Sequence, residues 1–468
     1  MYISKSKGWP GLLLAACVMV SACKTPASLP NSSANVQSAS KPNIIIILTD
    51  DMGFSDIGTF GGNFVPTPNI DRLAKSGLKI THYYSAAPIC SPSRTGLLTG
   101  MYPARWNFST YLDNKQHNKD AEQADFLDPS APTMAKFFKS AGYATGHFGK
   151  WHMGGGRDVT NAPGFEKYGF DEHVSTYESP DPEPALTATD WIWSYEDSVQ
   201  RWDRSRYFVD KTLDFMQRHK GQPCFVNLWP DDVHTPWVPR HGTEFEGKFP
   251  MNPQEEEAFK LVLQEYDKQI GRLLDGLKAT GLDKNTIVIF TSDNGPLPSF
   301  RGSRAAGMRG SKLSLYEGGT RMPFAVTWPG HIAAGTTDDQ SVLTGVDMLP
   351  TLTKIAGINL PASYHGDGID RSSVFLGTPS PRGKDMFWEY GRNDIAFKYP
   401  KGRDKSPNLA VRSGNWKLLM NNDGTKVQLF NIATDKNETK DVAAANPQVV
   451  ATLKPKLMAW WKEMPRLK

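Results

Sequence analysis

Hydrophobic positions follow two rhythms along this chain. Residues 43–48 (NIIIIL) make an unbroken apolar run, the pattern of a strand covered on both faces. Similar runs recur at Cys224–Trp229, Thr286–Ser292 (TIVIFTS) and 324–328, and 142–148 (GYATGHF) is also strand-like. Between them, apolar residues return at helical spacing over 69–76, 133–141, 206–219 and 253–280. Strands alternating with helices predict an α/β fold with a large, mostly parallel central sheet and helices on both faces. In such sheets ligands gather beyond the carboxyl ends of the strands.

After residue 379 the rhythm changes. Short runs at 386–390, 409–412, Trp416–Met420 and Gln428–Asn431 are separated by turns and predict an antiparallel sheet. Residues 447–462 then read as an amphipathic closing helix. The expected division is a large domain over 42–380 and a smaller C-terminal domain over 381–468, in which the helix packs on the sheet. There is no internal repeat.

The first residues follow neither rhythm. Lys5 and Lys7 precede the apolar run 11–22 (GLLLAACVMVSA), which is too short to span a bilayer as a helix. This is the layout of a secretory signal. It closes on Val20-Ser21-Ala22-Cys23, which resembles a bacterial lipobox, with Cys23 as the lipidated residue. Residues 1–22 are thus expected to be a lipoprotein signal peptide. Residues 23–41, rich in Ser, Ala, Asn and Pro, read as a flexible tether. The expected location is that of an exported bacterial lipoprotein, periplasmic or anchored at the outer membrane. Contact with the membrane would come only through the lipid.

Losing the two signal lysines lowers the formal charge from +4 to +2, which gives no sign of a nucleic-acid partner. Of the four cysteines, Cys17 leaves with the signal and Cys23 carries lipid. Cys224 lies in an apolar strand and reads as core. No disulfide framework is expected, and a chain of 468 residues can rely on its core.

That leaves Cys90, in the stretch 88–100 (PICSPSRTGLLTG). Cys90, Pro92 and Arg94 form C-x-P-x-R, just ahead of 95–100 (TGLLTG), which reads as the opening of a helix. A helix N-terminus holds anions, because its first amide N–H groups have no partner within the helix. Two acidic pairs follow predicted strands: Asp50-Asp51 after the first, and Asp293-Asn294 after Thr286–Ser292. Adjacent acids at a strand end repel unless neutralised. Three carboxylates and one amide oxygen make a hard ligand set suited to Ca²⁺, with Mg²⁺ as the alternative. Lys150 and His152 follow the run 142–148, His234 follows Cys224–Trp229, and Lys312 precedes 316–319 (YEGG). Each follows or precedes a predicted strand, which brings them towards one rim.

Taken together, these residues resemble the type I sulfatase family, within the alkaline phosphatase-like superfamily. The resemblance runs from about Pro42 to the closing helix. Its motifs are C-x-P-x-R with T-G-L-L-T-G, the Lys150–His152 pair, S-D-N-G, E-G-G-T-R-M-P, and the tail stretch 428–442. It implies hydrolysis of sulfate esters, with Cys90 oxidised by a maturation enzyme to formylglycine, whose hydrate is the nucleophile. It implies a divalent cation on Asp50, Asp51, Asp293 and Asn294, joined by an oxygen of the modified Cys90. Arg94 and Lys150 would steady the nucleophile, and His152 would help break the covalent intermediate. His234 and Lys312 would face the leaving group and the sulfate oxygens.

For the substrate, aromatic residues and arginines point to a sulfated glycan, since rings stack on sugars and arginine forks onto sulfate. The candidates are Trp237, Arg240 and His241 past His234, Arg301 and Arg304 between Asn294 and Lys312, and the aromatics Tyr177, Trp191, Trp193, Tyr195 and Trp202. The same rings serve equally well as core contacts. Two rival functions fit the pattern. One is a phosphonate or phosphodiester hydrolase with the same nucleophile. The other is a lipoprotein that binds sulfated glycans without cleaving them.

Overall fold

The computed structural model describes residues 41–240, 255–396 and 400–467. The signal, residues 23–40 of the tether with Cys23, and His241 lie outside the described residues. Residues 41–468 form one compact unit holding two sheets.

The large sheet contains β1 (Asn43–Thr49), β2 (Leu78–Tyr84), β3 (Ala144–Gly149), β4 (Glu172–Ser175), β5 (Cys224–Trp229), β6 (Thr286–Ser292), β7 (Arg321–Thr327), β8 (Thr336–Asp338) and β9 (Leu343–Thr344). Their order is β4-β3-β5-β1-β6-β7-β2-β8, with β9 also on β2. Every pairing is parallel except those of β7, which runs antiparallel to both β6 and β2. The carboxyl ends of β1, β2, β3, β5 and β6 therefore share one rim, and β7 starts there.

β1 shows why this sheet needs cover on both faces. Ile44, Ile46 and Leu48 pack with Leu97, Phe138 and Met348 on one side. Ile45 and Ile47 pack with Leu73, Phe208 and Phe259 on the other. The helices supplying that cover are Pro68–Lys75, Cys90–Thr99, Met134–Ser140, Arg204–Arg218, Glu256–Thr280 and Met348–Ile355. Cys224 sits in this core at 1% exposure, and burial pushes its thiol up to about 12. No helix among the described residues is long and apolar enough to cross a membrane.

The second sheet is antiparallel: β10 (Met386–Glu389), β11 (Leu409–Ser413), β12 (Trp416–Met420) and β13 (Gln428–Asn431). Leu453, Leu457 and Trp460 of the helix Pro447–Glu463 pack against its Leu409, Val411 and Leu418. A buried charge group ties this sheet to the larger one. Lys417 Nζ lies 2.9 Å from Glu317 Oε1 and 3.1 Å from Glu438 Oε1. One cation thus serves two carboxylates. Burial, with the neighbouring Glu317 charge, pushes Glu438 up to about 7 against the pull of Lys417. A carboxyl raised above its unfolded value of 4.5 adds stability below that pH and loses it as pH rises towards 7. The urea midpoint is expected to fall from pH 5 to pH 8, and to fall less in Glu438→Gln. Equal slopes in the two proteins would refute this.

Candidate active site

Six motif segments converge on the shared rim. Asp50 and Asp51 follow β1, Lys150 and His152 follow β3, the loop with His234 follows β5, and Asp293 and Asn294 follow β6. Cys90 follows β2, and Lys312 precedes β7. Cys90 is itself the first residue of the helix Cys90–Thr99, so the helix opens five residues earlier than Thr95. Ile89 offers no capping side chain, and Pro92 fits because a first-turn proline gives up no helical hydrogen bond. The close approach of two motifs requires glycine at 295. A Cβ there would lie 2.0 Å from the Gly318 carbonyl oxygen, and Gly295 N–H donates to Gly319 O at 3.0 Å.

The carboxylates and cations interlock. Lys150 Nζ donates to Asp50 Oδ2 at 2.8 Å, and Lys312 Nζ donates to Asp51 Oδ2 at 2.7 Å. Arg94 donates to Asp293 Oδ2 from Nη2 at 2.7 Å and from Nε at 3.0 Å. Its Nη1 donates to Lys150 O at 2.8 Å. Arg94 is fully buried, and these bonds position Asp293 and the Lys150 backbone. Burial alone would raise the Asp50 and Asp51 carboxyls, but Lys150 and Lys312 hold them below the ordinary range. Asp293 goes the other way. Burial and Asp50 push it well above that range despite Arg94.

These residues fit a divalent cation. Ligand atoms of Asp50, Cys90 and Asp293 lie within 4.8 Å of one another, and so do those of Asp50, Asp51 and His234. Asp50 Oδ1 and Asn294 Oδ1 are buried with no hydrogen-bond partner among the described residues. Asn294 spends its Nδ2 on Asp51 Oδ1 at 2.7 Å, which leaves its oxygen to face elsewhere. Unpaired buried oxygens beside crowded carboxylates call for a hard cation. Asp51 and His152 also hold left-handed backbone, at φ 58° and 54°, strain of the kind found at functional sites.

The two histidines are set in different tautomers. His152 Nε2–H donates to Leu112 O at 3.0 Å, with Glu178 Oε2 at 3.4 Å. Its Nδ1 is buried without a partner among the described residues and carries a lone pair. His234 Nδ1–H donates to Thr235 O at 2.7 Å, so its Nε2 accepts from Lys312 Nζ at 3.0 Å. Burial lowers both rings to about 4, opposed at His152 by Glu178 and reinforced at His234 by Lys312.

A cavity of about 660 Å³ opens onto this group. Asp50, Cys90, Lys150, His152, His234 and Lys312 line it, together with Tyr177, Trp191 and Trp193.

Residues 42–358 match the Sulfatase family, about two-thirds of the chain, and 311–463 match the N-sulphoglucosamine sulphohydrolase C-terminal family. The chain belongs to the sulfatase family. It is a type I sulfatase, within the alkaline phosphatase-like superfamily, and a sulfuric ester hydrolase. It is 29% identical to an N-acetylgalactosamine-6-O-sulfatase of Bacteroides thetaiotaomicron, over 90% of this chain and 93% of that protein. It is 33% identical to an N-acetylgalactosamine-6-sulfatase of Mus musculus, over 72% of this chain and 66% of that one. Among solved structures, Ps i-CgsB in complex with k-i-k-neocarrahexaose superposes with a TM-score of 0.74 at 25% identity, covering 91% of this chain and 94% of the other.

The structure places several of the substrate-side candidates of this sulfatase away from the cavity lining. Trp237 is a core ring at 3% exposure. It packs on Phe259 and Phe300 and donates from Nε1 to Val233 O at 2.7 Å. Arg304 is fully buried, with Nη2 donating to Asp56 Oδ2 at 2.7 Å and to Asp51 O at 2.9 Å. It props up the metal-side backbone. Arg240 is exposed and pairs with Asp203, and Arg301 is exposed outside the cavity. Tyr195 and Trp202 do not line the cavity either. Arg304→Met would strand the buried Asp56 carboxylate. The expected cost is about 3–5 kcal/mol of stability, read by denaturant unfolding. An unchanged stability with a raised KM would restore the substrate role.

Sequence reasoning passed over Tyr111, Glu178, Arg201 and Asp231, all of which line the cavity. For Asp231 a signal existed. The pair Asp231-Asp232 follows β5 as Asp50-Asp51 follows β1.

Proposed function

We propose that this sulfatase removes sulfate from carbohydrates, with Cys90 matured to formylglycine and Ca²⁺ held by Asp50, Asp51, Asp293 and Asn294. Mg²⁺ is the alternative ion. The observation carrying this reading is the single cavity that joins Cys90 and the lysines to the rings of Tyr177, Trp191 and Trp193. Sulfate fits the first group, and a sugar face fits the second. The names of the relatives, two of them N-acetylgalactosamine sulfatases, point the same way.

The hydrated aldehyde supplies one hydroxyl to take the sulfuryl group and a second that expels sulfate on losing its proton, while the cation supplies charge for the sulfate oxygens. This chain's own residues do the rest. Lys150 and Lys312 place fixed positive charge where the anion sits. His152 presents a lone pair on Nδ1, the atom suited to take that proton. His234 has no proton on Nε2, so Lys312 is the proton source for the departing oxygen, and His234 orients it. Secretion as a lipoprotein would place the enzyme where sulfated glycan fragments arrive.

Mass analysis of the tryptic peptide 80–94 from protein made in its native host tests the nucleophile. Aldehyde at residue 90, with sulfate released from a panel of sulfated glycans, is the expected result. Thiol throughout in active protein overturns the formylglycine reading. Release from aryl sulfates alone overturns the carbohydrate one.

A further inference from the structure

Asp231 lies three residues before His234, lines the active cavity, and is 4% exposed. Only one of its carboxylate oxygens is satisfied. Oδ2 accepts from Arg201 Nη1 at 2.7 Å and from Arg204 Nη1 at 3.0 Å. Oδ1 is buried and has no hydrogen-bond partner among the described residues. Arg201 grips the same loop at Asp231 O (2.8 Å), His234 O (2.9 Å) and Pro236 O (3.1 Å).

An ionised carboxylate oxygen can only accept hydrogen bonds. Left unpaired in a buried site it costs more than an ordinary polar atom. Asp231 is ionised: burial alone would raise its carboxyl, but Arg201 and Arg204 hold it well below the ordinary range. Its missing partner must therefore be a donor, and the cavity is where a donor can enter. Asp231 and His234 share one clamped loop, so that donor belongs to the leaving group near the ester.

We propose that Asp231 Oδ1 accepts a hydrogen bond from a free hydroxyl on the sugar, close to the sulfated carbon, and so sets specificity on the leaving-group side. The inference rests on the carbohydrate reading above. It adds a restriction. A sugar carrying a second sulfate at that neighbouring position would bring an anion against Asp231 and is rejected.

The test crosses an enzyme change with a substrate change. The matured enzyme and Asp231→Asn are assayed on monosaccharide sulfates and on the same sugars with each ring hydroxyl replaced in turn by hydrogen. One deoxygenation is expected to cost the parent enzyme about 100-fold in kcat/KM and the variant less than about 3-fold, because both changes remove the same bond. If the variant loses the same factor on every sugar and on its deoxy partner, Asp231 only holds the arginines, and the inference falls. Should the variant fail to fold, Cys90→Ala protein, which has no side-chain oxygen or sulfur to attack the ester, crystallised with the sulfated sugar decides. Asp231 Oδ1 within hydrogen-bond reach of a sugar hydroxyl supports the inference, and Oδ1 meeting only water or protein overturns it. p-Nitrophenyl sulfate separates the two levels. Its turnover without that of any sugar sulfate ends the carbohydrate reading and this inference together. Sugar turnover indifferent to deoxygenation ends this inference alone.

Discussion

Cys90→Ser is expected to release at most one equivalent of alcohol per enzyme and then stop, with steady-state kcat lower by about 10⁴-fold or more. The reasoning starts from the side chain. Serine keeps a hydroxyl at the first residue of the helix Cys90–Thr99, beside the same lysines and carboxylates. It can attack, but it has no second hydroxyl on the same carbon to push sulfate out. The product is a stable sulfate ester on residue 90, visible as a mass increase of one SO₃. Fold and binding should survive, because the thiol is buried and a hydroxyl is smaller. Sustained turnover by the serine protein would eliminate the geminal-hydroxyl step. Release of one equivalent without the mass increase would place the covalent bond elsewhere.

The residues of this reaction were legible because their chemistry is tied to strand ends. A buried strand reads from its own apolar run, and Cys224–Trp229 and Thr286–Ser292 lie where the pattern places them. β2 was not legible. Its sequence LKITHYY mixes Lys79 and His82 into the apolar positions, and the strand is held by pairing with β7 and β8. The direction of β7 was also hidden, since an apolar run is the same read either way. The helix start was misplaced because 91–93 (SPS) looks like a turn until the rim gives its first amides something to face.

The substrate side was less legible for a different reason. Arg304 and Trp237 look like sugar-binding residues in a string of letters. What settles them are partners far away in sequence: Asp56 for Arg304, and Phe259 and Phe300 for Trp237. Asp231 was hidden the opposite way. Its importance lies in an oxygen left without a partner among the described residues, and no sequence pattern marks an unmade bond.

Stripping divalent cations with a chelator is expected to lower kcat/KM by about 10³-fold or more, and calcium should restore it. The three carboxylates of Asp50, Asp51 and Asp293 face the three cations of Arg94, Lys150 and Lys312, so formal charge is already balanced. Balance is not satisfaction. Lys150 and Lys312 bond the Oδ2 atoms of Asp50 and Asp51, which leaves Oδ1 of Asp50, 3.5 Å from Arg94 Nη2, and Oδ1 of Asn294 buried without hydrogen-bond partners among the described residues. Asp293 stays well above the ordinary carboxylate range even with Arg94 on it. A bound cation removes both penalties in the folded state alone. At an ion concentration of 1,000 times Kd that linkage amounts to about 4 kcal/mol, so the thermal midpoint should rise with calcium as activity returns. Calcium should act at lower concentration than magnesium, because this ligand set mixes carboxylate and amide oxygens in an irregular cage. Equal potency would overturn the preference for calcium and leave the site standing. A chelated enzyme with unchanged activity and an unchanged midpoint would remove the cation altogether, and the two open oxygens would then need donors from the substrate.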